Sequence, residues 1–251
     1  MTVRFSVDRW AAWAPGLQDQ AAWRAWLGNP GPVPQGDDPP LTEMPAMMRR
    51  RVERLGRVAL QAAYWAQGDQ APSSVIFASR QGDIGRSLQL LRQLAGGETM
   101  SPASFSMSVH NAIGALYSIA NSQTCPYTSV AAGAETVEAA FVEAIGQLAD
   151  GAPDVLLVCY DEPLPEPYTQ FNSGIAFARS AAYRLSVAKT GGFSLQSGPP
   201  APAADSAAAS ATQALPADLA VLDFLVNAGA PQLVRTVGVR QWEWSRHDAL
   251  A

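Results

Sequence analysis

The chain reads as an α/β protein, a mostly parallel five-stranded sheet covered by helices. Three observations predict this. Tyr127–Ala131, Ala132–Ala149 and Val155–Tyr160 run β-rich segment, amphipathic helix, continuous apolar segment, the pattern of a right-handed βαβ unit with a buried parallel strand. Strand-like and helix-like segments alternate along most of the chain. Hydrophobic residues are 48% of the 251, enough for a substantial core, and no apolar run reaches membrane-spanning length.

The elements follow in order. Val3–Trp13 alternates around Phe5 and Val7 and reads as a first strand, and Gln18–Leu27 as a short helix carrying Trp23 and Trp26. Five prolines make Gly28–Thr42 an irregular loop. A long helix is predicted over Ala46–Ala66, with Met48, Val52, Leu55, Ala59 and Ala62 on one face and Arg50, Arg54 and Arg57 opposite. Ser74–Ser79 reads as a strand, Ile84–Leu94 as a helix and Ala112–Ile119 as another, before the βαβ unit. Beyond a proline-rich loop, Gly174–Ala188 is a long strand candidate and Phe193–Gln196 a hairpin partner for it. Gly198–Thr212 is rich in alanine, proline and serine and reads as a flexible linker. Ala217–Val226 reads as a closing helix and Leu233–Trp244 as an extended, tryptophan-rich tail. The expected organisation is one domain over 1–197, a linker over 198–212, and a helix with a tail over 213–251.

Composition excludes several functions. A net charge of −5 opposes non-specific nucleic-acid binding, which needs a positive surface. The two cysteines, Cys125 and Cys159, have neither metal spacing nor the look of a disulfide framework, and no metal or cofactor is expected. Acidic and basic residues within MTVRFSVDRW are unlike a signal peptide, so the expectation is a cytoplasmic protein. In a βαβ unit the chemistry belongs at the helix N-terminus, where free N–H groups and the dipole face a ligand. Around Ala131–Glu135 that position holds alanine and glycine, and no nucleophile.

Ser101-Pro102, Asn111, Pro126, the helix after it, Gly151 and Asp154, in this order of elements, resemble the N-terminal half of a β-ketoacyl synthase of the thiolase superfamily. FNSGIAFARSAAYRL looks like that family's glycine-containing strand. SFSMSVHNA and CYDEPLPEPY more narrowly resemble the short ketosynthase-like chain-length factors of aryl polyene biosynthesis, over roughly Val3–Leu195. Aligned without gaps, forward from Pro126 or back from Gly151, the family's nucleophilic cysteine falls on Ala134. Alanine can be neither acylated nor ionised; family members take two catalytic histidines from their C-terminal half, whereas the histidines of this chain are His110 and His247, which the resemblance matches to neither.

The resemblance therefore implies a thiolase-like half without catalytic residues of its own. It would pair with a complete β-ketoacyl synthase as a heterodimer and shape the acyl tunnel during decarboxylative elongation. By the same resemblance, tunnel or interface residues are Leu88, Leu91, Ser104, Phe105, Met107, Ser108, His110 and Asn111. Arg50, Arg54 and Arg57 are candidates for docking an acyl carrier protein, which otherwise binds through the partner. Plainer readings stand beside these. Leucines at helical spacing are also what a core uses, and a basic helix face is also simply solvated. Cys159 reads as a small buried apolar residue, and Ser108 and His110 lack the elbow motif of a hydrolase. The rivals are an acyltransferase using Cys125 or Ser129, and a homodimeric scaffold that docks carrier proteins.

Overall fold

The structure, a computed structural model, describes residues 3–172, 177–200 and 215–248. Strand β1 (Phe5–Trp13) is followed by helices α1 (Gln20–Gly28), α2 (Ala46–Arg49) and α3 (Arg54–Gln67). Then come β2 (Val75–Ala78), α4 (Ile84–Ala95), α5 (Pro102–Ser106), α6 (Ala112–Ala120), β3 (Tyr127–Val130), α7 (Thr136–Ala149) and β4 (Val155–Asp161). The rest is β5 (Arg179–Val187), β6 (Gly192–Gly198), α8 (Ala217–Val226), β7 (Gln232–Val237) and β8 (Arg240–His247).

The strands form one 8-stranded sheet in the order β3-β2-β4-β5-β1-β6-β8-β7. Only β3, β2 and β4 are mutually parallel; the other neighbours pair antiparallel. The expectation of five mostly parallel strands is corrected accordingly, and the α/β class stands. β5 runs back beside β4 without a crossover helix, and such a return is antiparallel. β1 inserts between β5 and β6, so the hairpin expected between Gly174–Ala188 and Phe193–Gln196 does not form. Leu233–Trp244, expected as a tail, lies mostly in the β7–β8 hairpin, which joins the sheet through β6, with Leu195 opposite Trp244. Gly198 ends β6, and residues 201–212 of the expected linker lie outside the described residues.

Alternation along β4 sorts the core into two layers. Val155, Leu157 and Cys159 pack with α1, α7 and α8, whereas Leu156, Val158 and Tyr160 pack with α3 and α6. Trp244 is fully buried, its ring 4.8 Å from that of Phe141 on α7. The long helix expected at Ala46–Ala66 is broken. Glu53 is extended at the start of α3, and Arg57 reaches back to donate to the carbonyls of Val52 (3.2 Å) and Arg49 (3.1 Å). The Arg49 carbonyl ends α2 and also accepts from Val52 N (3.3 Å), so Arg57 acts as a cap on that turn. The proline-rich loop is tied to α3 by Gln61, which accepts from the N–H of Leu41 and donates to Glu43.

Candidate functional site

A small cleft of about 50 Å³ opens at the carboxyl ends of β2 and β4, beside the start of α7. Crevices of α/β sheets lie at this end of the strands. A single 3-10 turn, Gly133–Glu135, leads into α7. Thr136 fastens it: its hydroxyl donates to Gly133 O (2.8 Å) and accepts from Ala132 N (3.0 Å). Ala134 is exposed in that turn and lines the cleft with Ala78, Cys159, Asp161, Arg179 and Asp218.

The last three residues form a charge cluster absent from the sequence reading. Arg179 is almost wholly buried and donates to both carboxylate oxygens of Asp218, at 2.6 and 2.8 Å. The pair ties β5 to the first turn of α8. Asp161 accepts from the Ser79 hydroxyl (2.8 Å) and the Arg80 N–H (3.0 Å). Burial, then the neighbouring Asp218 carboxylate, pushes Asp161 up to about 6 against those bonds and Arg179. The cluster was signalled by an arginine inside the apolar stretch FARSAAY, because a buried charge requires a partner.

None of these groups makes an activated nucleophile. Burial, and after it the Asp218 and Asp161 carboxylates, raises the Cys159 thiol well above its ordinary value. Cys125 is half-buried, is raised chiefly by burial, and has Gln123 Oε1 as its contact at 3.7 Å. A reactive cysteine needs the opposite shift. The Ser129 hydroxyl is buried without a partner. Ser108 Oγ donates to Phe105 O (2.8 Å) while His110 Nε2 lies 3.3 Å from Val130 O, so they form no Ser/His pair.

A second, narrower cleft gathers part of the other predicted set: Met107 and His110 line it with Val109, Glu53, Arg86 and Tyr160. The His110 ring lies so close to Gly82 (φ +66°) that a Cβ there would meet Nδ1 at 2.7 Å, which requires glycine. Leu88 is buried, whereas Leu91 and Phe105 are exposed, as are Leu94 and Val109. Ser104 and Asn111 serve locally: Ser104 N donates to Ser101 Oγ, and Asn111 precedes α6. Of the basic residues, Arg54 pairs with Asp38 (2.8 Å), Arg57 caps α2, and Arg50 is exposed. Among the described residues no group of His, Cys, Asp and Glu is placed to hold a metal. None of their helices is long and apolar enough to cross a membrane.

A family model described as the N-terminal domain of β-ketoacyl synthase matches residues 23–245. The chain belongs to this family. No curated protein matches it. Among solved structures, this β-ketoacyl synthase homologue is similar to a chain of the ketosynthase ApeO in complex with its chain length factor ApeC from Xenorhabdus doucetiae. The TM-score is 0.79 and the identity 26%, covering 98% of this chain and 100% of that one. It also matches the ishigamide ketosynthase/chain length factor at 16% identity and TM-score 0.64, over 78% of this chain and 67% of that one. A third match is the AntDE:AntF complex of a type II acyl carrier protein with its ketosynthase, at 14% identity and TM-score 0.60, over 79% and 70% of the two chains. The last two support the fold alone. The thiolase-like α/β fold expected from the sequence is thus the fold of this family member.

Proposed function

We propose that this chain is a chain-length factor, a ketosynthase-like subunit without condensing activity of its own, which pairs with a β-ketoacyl synthase and shapes its acyl tunnel. The observation that carries this reading is Ala134. It occupies the turn at the start of α7 beside an open cleft, at the position where the resemblance expects the nucleophilic cysteine. A methyl group at that point can hold no acyl chain. Two further facts support it. The matched chain of the ApeO–ApeC complex is covered over its whole length, and Leu91, Leu94, Phe105 and Val109 present apolar area of the kind a partner covers. The reaction served would be decarboxylative elongation of a carrier-bound polyene, as an aryl polyene system requires, with the catalytic residues on the partner. Carrier protein would dock mainly on that partner, with exposed Arg50 available at the rim.

The test is reconstitution. Co-expressed with its ketosynthase, the chain purifies as a heterodimer that extends malonyl-carrier substrate, and alone it extends nothing. Mass spectrometry after exposure to an acyl thioester finds no adduct on the isolated chain. An adduct on Cys125 or Ser129, or condensation by the chain alone, overturns the reading in favour of an enzyme.

A further inference from the structure

β7 ends the sheet: among the described strands none lies beyond it. Its pairing with β8 fixes which way its backbone groups point. Pro231 O accepts from Arg246 N (2.8 Å), and the register continues from Gln232 opposite Ser245 to Val237 opposite Arg240. Antiparallel partners alternate between residues that exchange hydrogen bonds and residues that do not. Leu233, Arg235 and Val237 therefore turn their N–H and C=O groups to β8, while Gln232, Val234 and Thr236 turn theirs outward. The same three residues are the exposed ones, Val234 at 51%.

Nothing within the strand closes this edge. Open edges are commonly blunted by a lysine, a proline or a bulge. Gln232–Val237 contains none of these, and its register with β8 is unbroken. Its one charged residue, Arg235, lies on the opposite face and is paired with the buried Glu138. Just past the strand, Val239 projects from the turn with 88% of its surface exposed. Beside the start of the strand lies an open cleft of about 890 Å³. Leu27, Phe224 and Leu233 line it with the small residues Ala228, Gly229 and Ala230.

We propose that β7 pairs edge to edge with β7 of a second copy of this chain, antiparallel about a two-fold axis through Val234. The strand matches itself in that register. Val234 meets its own counterpart, an apolar pair, and Gln232 meets Thr236 on either side of it, so each facing pair can exchange two N–H···O bonds. The same register sets Val239 of one copy beside residues 228–230 of the other, where the cleft receives it. An isologous contact needs such self-matching, which a foreign strand has no reason to find here. The two Glu243 carboxylates, opposite Val234 on β8, do not oppose it. They stand three strand spacings apart, roughly 14 Å, beyond the screening length of about 8 Å. The inference does not rest on the heterodimer reading above; with a ketosynthase bound, the same edge joins two heterodimers. A contact this small dissociates on dilution.

Sedimentation equilibrium over a dilution series tests this on the full-length chain, alone and co-purified with its ketosynthase. Wild type passes from the doubled unit to the single one as it is diluted. Val234→Pro removes an outward N–H, leaves the β8 ladder intact and abolishes the doubling. Val239→Asp weakens it. Gln232→Lys with Thr236→Lys sets like charges opposite each other, whereas Gln232→Lys with Thr236→Asp sets opposite charges there. The second combination associates about tenfold more tightly than the first. Both combinations change exposed side chains only, so they decide the matter independently of any effect of proline on folding. A wild type that is single at every concentration overturns the proposal. A dimer that all these variants leave unchanged lies on another surface and overturns it as well. A dimer of the isolated chain that the ketosynthase takes apart assigns the edge to the ketosynthase, and the proposal fails again.

Discussion

Asp161→Asn should stabilise the protein at neutral pH and leave it unchanged in acid. The folded-state carboxyl is raised from its ordinary 3.8 to about 6 by burial and by Asp218. A raised acid contributes stability that is complete below its unfolded value and lost as pH rises through its folded value. For Asp161 the loss falls between about pH 4 and pH 6. At roughly 1.36 kcal/mol per pH unit the full cost is about 3 kcal/mol, and the partial solvent access of this carboxyl brings the expectation to about 2–3 kcal/mol. Asparagine keeps the oxygen that accepts from Ser79 and Arg80 and turns an amide toward the Asp218 carboxylate. For a chain of this size the gain corresponds to a melting temperature higher by about 4–12 °C. Thermal unfolding of both proteins at pH 4 and pH 8, followed by circular dichroism, tests it. A shift of equal size at both pH values would mean that packing and not charge is responsible. A loss of stability at pH 8 would refute the argument outright.

Three further outcomes are expected. Ala134→Ser leaves the condensation rate of the reconstituted heterodimer nearly unchanged; a tenfold drop, about 1.4 kcal/mol in barrier, would assign this turn a role that its geometry does not suggest. Leu91→Ala or Phe105→Ala shifts carrier-bound polyenes to longer products at a preserved initial rate, and Ser104→Phe or Ser108→Phe shortens them. Chromatography of the released chains decides this, and parental distributions from all four would remove length control from this surface. Trp244→Ala, which empties the space beside Phe141, lowers the unfolding free energy by about 3–5 kcal/mol in a urea titration. A loss below 1 kcal/mol would show that the last hairpin is not part of the main core.

The βαβ unit was legible because its cues are local: Tyr127–Val130, Thr136–Ala149 and Val155–Asp161 each carry their own periodicity. The interruption before α3 was not, since it depends on one arginine folding back over carbonyls, and a helical wheel cannot register that. The β7–β8 hairpin was within reach. Trp242 and Trp244 alternate with Glu243 and Ser245, and Gly238 supplies a turn at φ +57°. Reading the tryptophans as a tail overlooked that alternation. β1 lying between β5 and β6 has no local signal at all. Of the candidate site, counting from Pro126 and Gly151 led to Ala134, which lies in the turn before α7, and Leu91 and Phe105 are exposed; the roles given to them belong to the proposed function. The cluster of Asp161, Arg179 and Asp218 was not, because its members come from three elements far apart along the chain.

The position of β1 also sets a timetable for synthesis. Phe5 pairs with Val187 and Trp13 with Ser180, so the first strand made waits for one of the later ones before it has a full neighbour. At roughly 5–20 residues per second, that is a delay of about 10–40 s on the ribosome. Throughout it FSVDRWAAW must stay unpaired, near its apolar neighbours on the nascent chain. Closing so long a loop is slow and leaves edges open to wrong contacts.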